Sequence, residues 1–219
     1  MENINVEIDD YTQPRIALKA LGKPYRNKKP TMELLAEIAK SGHTSVLEHV
    51  VFHFDITGVS RLLLQEFSRH RIASETVEST RYCLVKSVKE LDIESSGVYV
   101  YFVIPEFFRC RPELEMMYRK QIGYCIQGIR EMNDYLMELK RNGDDLLGER
   151  PTDYLKYMLI EGFRTNIYWS INLRSLLNFI KLRNSRNAHF EIRCLARYIK
   201  DLVRETPYCK IIDIMNEIP

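Results

Sequence analysis

Apolar and polar positions alternate from Val50 to Thr57, with Val50, Phe52, Phe54 and Ile56 on one side and His53, Asp55 and Thr57 on the other. A period of two marks a half-buried strand, so the pattern predicts a strand over 50–57, stopped by Gly58. The period then lengthens: Val59, Leu62, Leu63 and Phe67 recur at helical spacing and predict a helix over about 59–70. Upstream, Met32, Leu34, Leu35, Ile38 and Ala39 outline an amphipathic helix opened by Pro30-Thr31 and closed by Gly42. The β-branched and aromatic run from Val98 to Ile104, ended by Pro105, predicts a second strand that pairs with the first.

After Pro112 the apolar positions Leu114, Met117, Ile122, Ile126, Ile129, Met132, Leu136 and Leu139 follow one helix to Lys140, across Gly123 and Gly128, and Asn142-Gly143 ends it. A loop over 143–151 precedes helices over 152–162, 173–182 and 188–206. Strands gathered in the first half and helices in the second predict an α+β fold with an antiparallel sheet and long helices, rather than an alternating wound fold. At 45% hydrophobic residues over 219 positions the chain can bury one sizeable core, which predicts one domain over 1–219.

Charge adds little, since 32 basic residues face 30 acidic ones. Five cysteines, scattered and without a Cys-x-x-Cys pair, support neither a disulfide framework nor a zinc site, and no metal is expected. The acidic first ten residues carry no signal-like apolar run and no window is apolar enough to span a bilayer, so the expectation is a cytoplasmic protein away from membranes. No Gly-x-Gly-x-x-Gly loop is present, so any dinucleotide is held by other means.

Chemistry concentrates where the helix after the first strand ends. Arg69-His70-Arg71 is followed at 79–82 by Ser-Thr-Arg-Tyr, with Glu75 and Glu78 between. Arginine forks match phosphate and carboxylate oxygens, and three arginines within thirteen residues call for a negative partner. A solvated loop with internal ion pairs is the ordinary explanation, and cations at a helix C-terminus also suit its dipole.

These residues resemble the flavin-dependent thymidylate synthases, whose signature is Arg-His-Arg, seven looser positions, then Ser followed two residues on by Arg and Tyr. Here Arg69, His70, Arg71, Ser79, Arg81 and Tyr82 fill it. A second block is similar to the family's C-terminal region: Asn172-Leu173-Arg174-Ser175-Leu176, Asn178-Phe179, Leu182-Arg183, then Ala188 and Glu191-Ile192-Arg193. A third, weaker block is Gly42-His43-Thr44-Ser45-Val46-Leu47-Glu48-His49. Together they cover about residues 31 to 205.

The resemblance implies a fold of the thymidylate synthase-complementing type. It implies FAD reduced by NADPH, and transfer of a methylene group from methylenetetrahydrofolate to carbon 5 of dUMP. It also implies a homotetramer whose sites are shared between subunits. By the same resemblance Ser45, Arg69, His70, Arg71, Asn172, Arg174, Asn178 and Asn187 contact the flavin cofactor. Glu66, Arg69, Glu78, Ser79, Thr80, Arg81, Lys156 and Arg183 contact dUMP, and Arg183 is the catalytic group. A guanidinium against the uracil edge stabilises negative charge developing at N3 and O2. Asn172, Arg174 and Asn178 do not share one helical face, which places Asn172 in the helix's first turn. Without the motif, His70 reads as a capping histidine and Asn178 as a satisfied core amide.

Departures from the family pattern are Thr76-Val77 for Asn-Glu, Glu66 for a frequent Gln, Lys156 for a phosphate-binding Arg, and Asn187, His189 and Phe190 near the C-terminal block. Two other readings stand beside the enzyme. One is a flavoprotein of the same fold without synthase activity. The other is a nucleic-acid-binding module using Lys181, Arg183, Arg186, Arg193, Arg197 and Lys200, although no nucleic-acid-reading motif accompanies them and Glu191 and Asp201 interrupt the stripe.

Overall fold

A computed structural model describes residues 4–25, 29–90, 97–144 and 148–216. Residues 145–147 of the expected loop and the first three residues of the acidic start lie outside it. Element order is β1 (Asn5–Tyr11), α1 (Pro14–Leu21), α2 (Met32–Lys40), a 3-10 turn (Ser45–His49), β2 (Val51–Ser60), α3 (Arg61–Phe67), β3 (Ala73–Val77) and α4 (Thr80–Glu90). Short helices α5 (Val98–Tyr101) and α6 (Glu106–Arg109) follow, then α7 (Pro112–Arg141), a 3-10 helix (Pro151–Met158), β4 (Arg164–Asn172), α8 (Leu173–Arg183), α9 (Phe190–Arg204) and α10 (Cys209–Asn216). The chain forms two compact units: among the described residues one takes 4–59, 63–76 and 166–216, and the other 60–62 and 77–165.

The first unit is built on a four-stranded antiparallel sheet in the order β1-β2-β4-β3. Phe52, Phe54 and Ile56 of β2 are fully buried, as the alternation predicts, and Val6, Ile8 and Tyr11 of β1 pair with Ile56, Phe54 and Phe52 around a bulge between Ile8 and Asp10. Gly58 does not end the strand. It sits at φ +76°, a conformation open to glycine, and its N–H donates to the Asn166 side chain at 3.1 Å, so β2 bends and continues to Ser60.

β4 is a correction to the expected run of helices in the second half. Thr165, Ile167, Trp169 and Ile171 are buried while Asn166 and Tyr168 face out, a period of two that carries the chain back beside β2. Trp169 becomes the hub of the core, with ring centroids 4.6 Å from Phe67, 5.1 Å from Phe179 and 5.8 Å from Phe54. At the other end Tyr208 packs edge-on to Phe52, and its hydroxyl donates to the Thr12 carbonyl at 2.7 Å. Helix α9 buries Ile192, Leu195, Ala196, Ile199 and Val203 along one stripe against α8 and β1.

The second unit is helical. α7 runs for 30 residues, close to its predicted bounds, and presents Ile122, Cys125, Ile126 and Ile129 to Leu84, Val88, Phe102, Leu155 and Phe163. A Cβ at Gly128 would come within 2.7 Å of the terminal methyl of Met158, a flexible side chain that can move aside. The expected strand at 98–104 is instead a helical turn followed by a single bridge from Phe102 to Phe163. Val98 and Phe102, four apart, are its fully buried pair while Val100 is exposed, so helical period overrides β propensity. The expected helix over 152–162 shortens to the 3-10 helix. No helix among the described residues is long and apolar enough to cross a membrane.

Replacing Phe179 by Ala is expected to cost about 3–5 kcal/mol of unfolding free energy in urea denaturation. An unchanged midpoint would contradict its place in the Trp169 cluster.

Candidate functional site

The Arg-His-Arg triplet is placed by what precedes it. α3 ends at Phe67, whose ring is buried against Trp169 and Phe179, and the chain turns there as the His70 N–H donates to the Phe67 carbonyl at 3.0 Å. His70 lies edge-on to Phe179 at 4.9 Å. Arg183 stands four residues beyond Phe179 on α8, hence on the same helical face, and so reaches the same spot.

Arg183 is held by three acceptors. Its Nε donates to His70 Nε2 at 2.9 Å, Nη1 to Glu66 Oε2 at 2.7 Å and Nη2 to the Glu66 carbonyl at 3.0 Å. Arginine only donates, so Nε2 of His70 accepts and its proton resides on Nδ1. Burial, and then the Arg183 charge, push the His70 pKa below its ordinary value of 6.5, leaving the imidazole neutral.

The start of α8 supplies the opposite wall. Asn172 caps the helix, its side-chain oxygen accepting from the Ser175 N–H at 2.9 Å, as the spacing of Asn172, Arg174 and Asn178 requires. The Leu173 N–H donates to Val50 at 2.7 Å and ties the cap to β2. Arg174 forms an ion pair with Glu48 of the 3-10 turn.

These groups surround a cavity of about 780 Å³. Of the cofactor residues implied by the resemblance, Arg69, His70, Arg71, Asn172, Arg174 and Asn178 line it, together with Arg183. Ser45 is the exposed first residue of the 3-10 turn, three positions before the lining residue Glu48, and Asn187 lies in the exposed turn after α8 with its N–H on Ser185 Oγ. Neither lines the cavity. Glu48, Ile72, Ile171, Ser175 and Leu182 line it without having been singled out. Ile171, Ser175, Asn178 and Leu182 extend one stripe from β4 along α8, which helical spacing could have revealed. Glu48 becomes visible only through its pairing with Arg174. Four guanidinium groups against the single Glu48 carboxylate, with Arg174 in the first turn of the eleven-residue α8, favour a large anionic ligand such as a diphosphate.

The remaining candidates lie in the helical unit. Ser79 precedes α4, and its carbonyl accepts from the Tyr82 N–H at 3.0 Å; Thr80 is buried in the first turn. Arg81 Nε donates to Asp153 Oδ1 at 3.0 Å and Lys156 Nζ approaches the same oxygen at 2.8 Å. The Lys156 hydrogen bond, with a smaller contribution from Arg81, lowers the Asp153 pKa. Asp153, absent from the sequence-based candidates, thus holds two cations side by side and leaves the trio net positive. Glu78 raises the Cys83 thiol pKa, after burial as the main cause.

The basic C-terminal stripe is partly engaged within the fold. Besides Arg183, Arg197 donates to Asn184 at 3.1 Å and Arg193 to the Arg186 carbonyl at 3.3 Å.

Known proteins are similar to this chain in sequence and fold. The family profile described as thymidylate synthase complementing protein matches residues 9–207. A flavin-dependent thymidylate synthase of Wolinella succinogenes is 36% identical over 163 residues, covering 74% of this chain and 71% of the relative. One of Campylobacter jejuni is 37% identical over 158 residues, covering 72% and 67%. A crystal structure of thymidylate synthase X from Helicobacter pylori with FAD and dUMP superposes with a TM-score of 0.76 at 26% identity, covering 98% of this chain and all of that one.

Folded His70 gives up its proton more readily than unfolded His70. Its contribution to stability is therefore fully present above about pH 6.5 and is lost as pH falls through the lower folded value. Urea unfolding from about pH 8 to about pH 5 is expected to show the wild type losing stability relative to His70→Asn across that window. Parallel curves would rule out the neutral, buried imidazole.

Proposed function

The chain belongs to the flavin-dependent thymidylate synthases, the thymidylate synthase complementing proteins, and from that membership we propose that it converts dUMP to dTMP by reductive methylation. It is an FAD-dependent methyltransferase. Methylenetetrahydrofolate is the carbon donor and NADPH the source of reducing equivalents. When bound, FAD supplies the hydride that completes the methyl group.

The observation that carries the reading is the convergence of the Arg-His-Arg triplet with the first turn of α8 on one cationic cavity. Arg69, Arg71 and Arg174 are suited to the cofactor's diphosphate, while Asn178 and the Asn172 cap offer amide groups for orientation. His70, neutral and braced on Phe179, gives a flat wall without adding charge. Ser45 and Asn187 belong to the cofactor set by resemblance.

For the pyrimidine nucleotide, Ser79, Thr80, Arg81 and Lys156 take the phosphate. Two cations and the first turn of α4 favour a dianion, and Asp153 keeps the cations together until it arrives. By resemblance Arg69 and Glu78 belong to the same nucleotide set, and Glu66 stands beside it as the partner of Arg183. Arg183 faces the uracil, where a fixed positive charge stabilises negative charge at N3 and O2 in the form of the ring whose carbon 5 is nucleophilic. The profile match runs through both compact units, which supports one family domain over 1–219. A homotetramer with shared sites and a cytoplasmic location complete the proposal.

Purified protein is expected to be yellow, to bleach with NADPH, and to release tritium from C5-labelled dUMP when methylenetetrahydrofolate is present. A yellow protein that releases none would be a flavoprotein without synthase activity. Arg183→Lys keeps the charge but loses the planar fork, so turnover is expected to fall by about a hundredfold or more in a protein that still folds, at an unfolding midpoint lowered by the lost contacts to His70 and Glu66. Near-normal turnover would remove Arg183 from catalysis.

A further inference from the structure

We propose that Glu66 acts as a latch on Arg183, holding the guanidinium against His70 in the resting protein and competing with the uracil edge for it, so that residue 66 sets how tightly pyrimidine nucleotides bind. The inference rests on the reading of Arg183 as the uracil-facing cation.

Each guanidinium nitrogen already has an acceptor: His70 on Nε, the Glu66 carboxylate on Nη1 and the Glu66 carbonyl on Nη2. A two-point contact with a planar ligand uses two adjacent nitrogens, one of which is always Nη1 or Nη2. Three of the five N–H groups are thus taken, one remaining on each terminal nitrogen, so a two-point contact through Nη1 and Nη2 is shared with Glu66 and one through Nε displaces His70. Both partners are mostly shielded, with side-chain exposures of 18% for Arg183 and 31% for Glu66, so water screens the pair only in part. While the pair is intact, Glu66 also offsets the charge that an incoming anionic nucleotide would meet. Only the carboxylate depends on the identity of residue 66, because the carbonyl contact survives any substitution. His70, backed by Phe179, stays in place when the carboxylate releases and gives Arg183 a pivot at Nε.

This makes Glu66 a positioning residue with a signature unlike that of a merely structural one. A structural glutamate, once removed, weakens every ligand and lowers stability together. A latch, once removed, strengthens pyrimidine binding more than cofactor binding, since three other guanidinium groups already line the cavity that the freed Arg183 borders.

The test measures dUMP affinity by calorimetry, FAD affinity by absorbance, and kcat and KM separately, in the full chain and in Glu66→Gln and Glu66→Ala. Glu66→Gln keeps shape and an acceptor oxygen but not the charge. It is expected to bind dUMP about fivefold tighter, the scale of one partly exposed ion pair, with a smaller change in FAD affinity. Glu66→Ala is expected to lower KM similarly and also to lower kcat, because nothing but the carbonyl and His70 then orients the fork. Should either variant fold poorly, Glu66→Asp withdraws the carboxylate by one methylene and is expected to tighten dUMP binding as well. Equal or weaker dUMP binding in the folded variants, beside a wild type that binds it, overturns the latch and leaves the synthase reading intact. A wild type without affinity for dUMP overturns the synthase reading, and the latch with it.

Discussion

The contact between the His70 imidazole and the edge of Phe179 is what the cationic site depends on. One partner follows α3 and the other sits on α8, more than a hundred residues later, and Phe179 rests on the buried Trp169 of β4. Because Phe179 and Arg183 are one helical turn apart, seating the ring also seats the guanidinium. Because Phe67 is seated on the same tryptophan, the triplet beginning at Arg69 emerges at the same place. An aromatic cluster with no polar role of its own thus sets the positions of the charged groups.

Charge is managed in the same way in each unit. Arg183 is held by Glu66, Arg174 by Glu48, and Arg81 with Lys156 by Asp153. Each carboxylate orders flexible cationic side chains before a ligand arrives, which lowers the entropy lost on binding. Each also weakens the field its cations present. Preorganisation and competition are therefore two sides of one contact, and the balance is set by which residue stands opposite each arginine.

Much of this was legible in the sequence where a short-range rule applied. The alternation of Val50 to Ile56 marked the buried face of β2. The spacing of Asn172, Arg174 and Asn178 placed Asn172 at a helix cap. The triplet and the α8 block identified the family. β4 carried as clear a period of two, in Thr165, Ile167, Trp169 and Ile171, but the helical patterns on either side obscured it. Val98 to Ile104 misled for a physical reason: β-branched residues follow whichever period buries them, and here Val98 and Phe102 are buried four apart. Glu48 and Asp153 were out of reach because their meaning lies in partners 126 and 72 residues away. No local pattern encodes such a pairing.

A double-mutant cycle on His70→Ala and Arg183→Ala, read by urea unfolding of the two single variants, the double variant and the wild type, tests the shared brace most directly. A coupling free energy of about 1 kcal/mol or more is predicted, since each side chain holds the other in place. Additivity to within about 0.3 kcal/mol would contradict the account, because the two groups would then be neighbours without being partners.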